Sequence, residues 1–185
     1  MTCRGYGQLT SDSRFIMSRL LNSMRFSRAL SLLAPLAFVA CLNGTQPENF
    51  PNIPIESTSF ASNLNVNLAA STKTSSGMYY RDIADGTGKT VATGDTVKVY
   101  YQGALSSGQI FDQRLSPSPT LDFKLGSGYV IPGWDEGLVG MKVGGVRQLI
   151  IPPALAYGSG GYLDIPPNAV LVFNVTMNAA KTPGT

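Results

Sequence analysis

The sequence predicts an α+β domain in which an antiparallel sheet accompanies one short helix, and three observations predict it. Short β-rich runs recur between Gly-, Pro- and Ser-containing turns. A single Pro-Gly-Trp-Asp-Glu-Gly stretch, Pro132 to Gly137, has the makings of a helix. The 185 residues suffice for one domain plus extra segments. Many short strands around one short helix is an α+β arrangement.

Each element has its own justification. Met78–Ile83 reads as a strand, followed by the turn Asp85-Gly86-Thr87-Gly88. Thr96–Tyr101 alternates, with Val97, Val99 and Tyr101 on one side, as a sheet with one buried face requires. Ser106-Ser107-Gly108 turns the chain into Ile110-Phe111-Asp112, and Thr120–Leu125 is another short strand. Pro132 fixes φ for a first helical turn. Asp135 and Glu136 lie near the positive end of its peptide dipoles, and Gly137 and Gly140 end it with Trp134, the only tryptophan, facing inward. Val146–Ile151 and Val170–Met177 are the longest apolar, β-rich runs and are expected to be central strands.

The N-terminal part differs in kind. Residues 1–40 carry five Lys/Arg and one Asp/Glu, whereas residues 41–185 carry nine and ten. The basic charge therefore belongs to the leader, and the body offers no electrostatic case for nucleic acid. Ala29–Ala40, ALSLLAPLAFVA, follows Arg25 and Arg28 and precedes Cys41, as in a secretory signal. The run is short for a bilayer span and is interrupted by Pro35. Phe38-Val39-Ala40-Cys41 resembles the lipobox of bacterial lipoproteins, although Phe38 replaces the usual leucine. Cleavage there would leave Cys41 as the one cysteine of an exported chain, and acylation would remove that free thiol and supply a membrane anchor. Met17 or Met24 is a more natural start than Met1. Residues 42–76 are rich in Asn, Ser, Thr and Ala, include three prolines and lack a sustained period, and are expected to be a flexible tether. Residues 41–76 thus form a lipidated cysteine and spacer, 77–180 the folded domain, and 181–185 a tail.

The chain has no histidine, and its two cysteines are Cys3 and Cys41. His-dependent triads and His or multi-Cys zinc sites are excluded, and no cofactor is expected.

The order Gly103, Phe111-Asp112, Phe123, Leu125-Gly126, Val130-Ile131-Pro132-Gly133-Trp134, Ala156-Tyr157-Gly158, Ile165-Pro166-Pro167 and Leu171-Val172-Phe173 resembles the FKBP family of peptidyl-prolyl cis/trans isomerases from about Gly77 to Ala180. The resemblance implies a curved antiparallel sheet wrapped around the helix of Trp134, and an aromatic pocket that accelerates rotation about X–Pro bonds. It implies substrate-binding roles for Tyr101, Val130, Ile131, Trp134, Ile165 and Phe173, with Leu121 at a wall where many relatives have an aromatic. It assigns catalytic roles to Phe111, Asp112 and Tyr157, with Asp112 near the twisted carbonyl and the Ile131 N–H and Tyr157 hydroxyl holding substrate carbonyls. Pro117 stands where an arginine often supports the aspartate, leaving Arg114 as a substitute. The loop Gly158–Asp164 is a residue shorter than in some members, with Tyr162 adding an aromatic at its rim.

The expected substrates are Pro-containing polypeptides, and macrolides such as rapamycin are expected ligands. A monomer is expected, exported to the cell envelope and held by Cys41 on the periplasmic face of the outer membrane, with a soluble periplasmic or secreted form as the alternative. The competing functional reading is a chaperone-like binder of Pro-containing chains with little turnover.

Overall fold

The computed structural model describes residues 50–184, which lie in the larger of the chain's two units, Thr45–Thr185. The leader, the lipobox-like segment with Cys41 and the two alternative starts lie outside the described residues.

Seven strands form one antiparallel sheet: β1 (Thr72–Lys73), β2 (Tyr79–Ala84), β3 (Thr96–Leu105), β4 (Ile110–Arg114), β5 (Leu121–Lys124), β6 (Val146–Ile151) and β7 (Leu171–Lys181). Their order is β1-β2-β6-β7-β3-β4, and β5 shares the outer edge of β3 with β4. The two longest strands, β3 and β7, pair along nearly their whole length, from Thr96↔Lys181 to Leu105↔Leu171. Helix α1 (Pro132–Gly137) packs on the inner face. Among the described residues no helix is long and apolar enough to cross a membrane.

Alternation along β3 puts Val97, Val99, Tyr101 and Leu105 into the main core with Trp134, Leu149, Ile151, Leu171, Phe173 and Val175. Six residues are too few for a helix to hold itself, so α1 depends on tertiary ties. Gly133 lets it approach β6: a Cβ there would fall 2.5 Å from Ile151 Cγ2. The Asp135 carboxylate accepts from the N–H groups of Gly126 (2.7 Å) and Gly128 (2.9 Å), pinning the preceding loop to the helix. At the other end Arg147, nearly buried, donates to the carbonyls of Gly137 and Val139 and grips Asp82 with two further bonds of 2.7 and 2.9 Å.

The expectation of a flexible tether up to residue 76 is corrected for the part described. Residues 50–76 contain three short 3-10 turns, Ile55–Ser57, Ser62–Leu64 and Leu68–Ala70, and the edge strand β1. They form an arm across the sheet's outer face. Ile55 and Leu64 are buried there with Tyr79, Ala104, Ile150, Val170 and Val172. The arm is also hydrogen-bonded. Gln148 Nε2 donates to Leu64 O (2.8 Å), Arg81 Nη2 to Asn65 O (2.8 Å), and Asn168 Nδ2 to Phe50 O (2.6 Å). Glu56 accepts from Lys73 and from the Tyr79 hydroxyl. The physical reason lies in the receiving strands. The outward residues of β6 and β7 include Ile150 and Val172, and burying such apolar surface is worth about 25 cal/mol per Å². A sheet apolar on both faces needs two covers, and the arm is the second.

Candidate active site

The inner face opens beside α1 into a cavity of about 700 Å³. Trp134 forms its floor, with Val130 and Ile131 entering from the turn before the helix. Tyr101 from β3, Phe111 and Asp112 from β4, Leu121 from β5, Phe173 from β7 and Tyr157 complete the set that sequence brought forward. Nine of the ten pocket residues singled out from sequence therefore share one cavity. Ile165 does not line it; it belongs instead to an adjoining cavity of about 300 Å³ that also has Phe111, Asp112 and Tyr157 on its wall.

Sheet register explains how residues so far apart meet. Gly103 on β3 is opposite both Phe173 on β7 and Asp112 on β4. It has no side chain to fill the space, so the two rings close over it: a Cβ at Gly103 would lie 2.5 Å from Phe173 Cε1 and 2.9 Å from Phe111 Cζ. The aromatic walls meet edge to face, the arrangement favoured by ring quadrupoles. Ring centroids are 5.1 Å apart for Tyr101–Trp134, 5.3 Å for Trp134–Phe173 and 5.5 Å for Phe111–Phe173, at angles of 83°, 87° and 89°. Tyr101, Trp134 and Phe173 are all buried, and the Trp134 indole N–H has no hydrogen-bond partner among the described residues.

The polar groups stand on one side of this apolar bowl. Tyr101 donates its hydroxyl to Asp112 Oδ2 at 2.6 Å. Burial, and then this bond to a carboxylate, push the Tyr101 pKa up to about 12. Burial foremost, with the nearby Tyr162 and Asp112, raises that of Tyr157. Both phenols keep their protons at neutral pH. Arg114 is the cross-strand partner of Tyr101, and its guanidinium opposes the rise of the Tyr101 pKa. Its hydrogen bond goes to Thr120 O (3.3 Å), with none to Asp112. Support of the aspartate by Arg114 is therefore replaced by support from Tyr101.

Tyr129 and Ala156 also line the cavity but were not among the residues proposed from sequence for the pocket, and Tyr162, expected as an aromatic at the loop's rim, lines it as well. Tyr129 stacks on Phe123 (6.4 Å, 17°), which in turn contacts Trp134 at 5.9 Å. Tyr162 stacks on Tyr157 (5.2 Å, 11°). A cue to Tyr129 was available, since it directly precedes Val130 in the Val-Ile-Pro-Gly-Trp run.

The chain is similar in sequence and fold to known proteins. The family model described as FKBP-type peptidyl-prolyl cis-trans isomerase matches residues 87–178. FK506-binding protein 4 of Gibberella zeae is 46% identical over 113 residues, which is 61% of this chain and 23% of that one. FKBP-type peptidyl-prolyl cis-trans isomerase FkpA of Escherichia coli K12 is 46% identical over 110 residues, 59% of this chain and 40% of that one. The chain thus spans less than half the length of these curated relatives. Among solved structures, Escherichia coli FkpA superposes with a TM-score of 0.57 at 42% identity, covering 61% of this chain and 52% of that one. AtFKBP13 gives 0.55 at 36% identity, covering 59% of this chain and 97% of that one. A peptidyl-prolyl cis-trans isomerase from Pseudomonas syringae gives 0.56 at 31%, covering 65% and 87%. With the family model matched and two solved structures of 36% and 31% identity covered to 97% and 87% of their length, this chain belongs to the FKBP-type peptidyl-prolyl cis-trans isomerase family.

Proposed function

We propose that this chain accelerates cis/trans rotation about X–Pro bonds of polypeptides, and that the cavity over Trp134 is where it does so. The observation that carries this is the pairing of an apolar aromatic bowl with a one-sided polar edge, Asp112 bonded to Tyr101 and Tyr157 beside it. The barrier to rotation is roughly 18–20 kcal/mol and arises from amide resonance. Uncatalysed exchange takes about tens to hundreds of seconds. Twisting the C–N bond removes resonance and part of the carbonyl dipole, so a dry apolar wall favours the twisted amide over the planar one. Rings of Tyr101, Phe111, Trp134 and Phe173 supply that wall, with Val130, Leu121 and the neighbouring Ile165 extending it. The protonated Tyr157 hydroxyl and the Ile131 N–H hold flanking carbonyls, and Asp112 faces the twisted one. No proton moves and no covalent bond forms, so the acceleration is differential binding of the twisted form.

The test is exchange of an X–Pro peptide measured by NMR with the full chain. Acceleration that Phe111→Ala and Asp112→Val reduce severely, and Trp134→Leu only modestly, supports the assignment. Full activity in all three variants overturns it. Macrolides such as rapamycin and FK506 are proposed ligands of the same cavity. Their binding is readable by quenching of the single tryptophan.

The proposal extends to place. The leader directs export, Cys41 carries the lipid, and the domain acts as a monomer on the periplasmic face of the outer membrane. The signal pattern at Ala29–Ala40 and the lipobox-like Phe38–Cys41 support this reading. Cys41→Ser should release the protein into a detergent-free soluble fraction, and unchanged membrane association would rule out the anchor.

A further inference from the structure

The adjoining cavity of about 300 Å³ shares a wall with the pocket over Trp134: Phe111, Asp112, Tyr157 and Tyr162 line both. One end of it is built by the loop segment Tyr162, Leu163, Asp164 and Ile165. There Tyr162 and Ile165 exchange both backbone hydrogen bonds, Tyr162 N–H to Ile165 O at 2.9 Å and Ile165 N–H to Tyr162 O at 2.8 Å. The two residues between them, Leu163 and Asp164, are projected as a tight turn, with Leu163 at φ 47° and 87% exposed. Tyr162 is held against Tyr157 by ring stacking. The turn is therefore set in place before any substrate arrives.

Its chemistry is one-sided. The cavity carries two carboxylates, Asp112 near the proline pocket and Asp164 at the outer end, and no Lys or Arg lines it. Asp112 is engaged by Tyr101, whereas Asp164 has no hydrogen bond or ion pair among the described residues. With the acids, the wall carries the rings of Phe111, Tyr157 and Tyr162 and the aliphatic side chains of Leu163 and Ile165. A long aliphatic stem ending in a cation complements all of this at once, the stem against Leu163 and Tyr162 and the head at Asp164, with the ring face adding to the attraction. The bond that rotates joins the proline to the residue before it. On that isomerase reading the carbonyl of the preceding residue lies by Asp112, and because Asp112 lines both cavities the side chain of that residue is within reach of the second one.

We infer that this cavity is a subsite for a basic side chain, Lys or Arg, on the residue preceding the proline, with Tyr162 and Asp164 setting the preference. This rests on the isomerase reading above. The test is NMR exchange of three peptides differing only in that residue, Lys-Pro, Leu-Pro and Glu-Pro, with the full chain at low ionic strength. The expected result is a kcat/KM about tenfold higher for Lys-Pro than for Glu-Pro, falling about fourfold in ratio in Asp164→Asn and inverting in Asp164→Lys, as one exposed charge allows. The ratio should also contract in about 0.5 M salt, where the screening length falls to only a few ångströms. Equal rates for Lys-Pro and Glu-Pro in the parent chain overturn the subsite and leave the isomerase reading standing. A ratio unmoved by both Asp164 variants does the same. No acceleration of any peptide overturns the isomerase reading and the subsite with it.

Discussion

Gly103→Ala tests whether the pocket is set by the close approach of two rings over a bare strand. The added Cβ would sit 2.5 Å from Phe173 Cε1, 2.9 Å from Phe173 Cδ1 and 2.9 Å from Phe111 Cζ. Carbon atoms are comfortable at about 3.5–4.0 Å, so the Phe173 ring must retreat by roughly 1 Å. It is already hemmed in by Trp134 at 5.3 Å and Phe111 at 5.5 Å, and is 4% exposed. The room left is the cavity itself. Overpacking of this kind costs about 1–3 kcal/mol, which corresponds to a fall in Tm of about 4–12 °C for a domain of this size. Because the displaced ring narrows the proline site, and a 1 Å misplacement can cost about 100-fold, kcat/KM should fall about 10- to 100-fold. Thermal denaturation and NMR exchange on the same preparation read both effects. A Gly103→Ala protein with the parent's Tm and full activity would refute the claim that ring closure over Gly103 shapes the site.

Three further outcomes are expected. Leu64→Ala should lower stability by about 2–4 kcal/mol in urea denaturation while leaving kcat/KM within twofold, because Leu64 is buried under the face opposite the cavity. Arg147→Met should cost about 3–5 kcal/mol, since it strips Asp82 of its partner and leaves the carbonyls of Gly137 and Val139 without their donor; a loss below about 1 kcal/mol would contradict the role given to this cap. Isomerase activity should be flat from about pH 6 to 9. The chain has no histidine, and the raised pKa values of Tyr101 and Tyr157 keep both hydroxyls protonated across that range. For Tyr101, the stability gained from a folded pKa of about 12 is complete below its ordinary value of 10 and is lost as pH rises from 10 through 12. An activity midpoint near neutrality would mean that a different group controls the site.

Most of the sheet was legible because its strands are long β-branched runs. Val146–Ile151 is observed at the bounds read from sequence, and β3 extends four residues beyond its alternating part, where Gln102 to Leu105 pair with β7 and Gln102 to Ala104 also pair with β4. The arm was not legible from its own residues. Its composition is that of a linker, and two well-buried anchors, Ile55 and Leu64, carry its packing. The cue was in the strands that receive it. A one-sided strand alternates, yet in β6 the residues of both faces are buried: Arg147, Leu149 and Ile151 inward, Gln148 and Ile150 outward. A run that does not alternate demands a second layer, and the buried Gln148 demands acceptors, which Leu64 O and Asn174 provide.

The site divides the same way, and for a physical reason. Tyr101 and Trp134 could be placed from strand alternation and the short-helix pattern, whereas Phe111, Phe173, Tyr157 and Ile165 were brought forward by the family resemblance. Ile165, Tyr162 and Asp164 are placed by a turn whose geometry depends on the exchanged bonds between positions 162 and 165 and on Gly161 at φ 65°. Lengthening that loop by one residue would leave every strand intact and still move these side chains. The proline floor is tied the other way, through Asp135 to Gly126 and Gly128 and through Arg147 to the end of a six-residue helix. In the proposed function, reaction type is thus assigned to the rigid core and the choice of residue beside the proline to a turn that can change without disturbing it. An exchange of the whole segment 158–164 for a longer loop should therefore alter the ratio of Lys-Pro to Glu-Pro turnover and keep acceleration of Leu-Pro. Loss of all activity in that exchange would show that the turn is part of the rotation machinery itself.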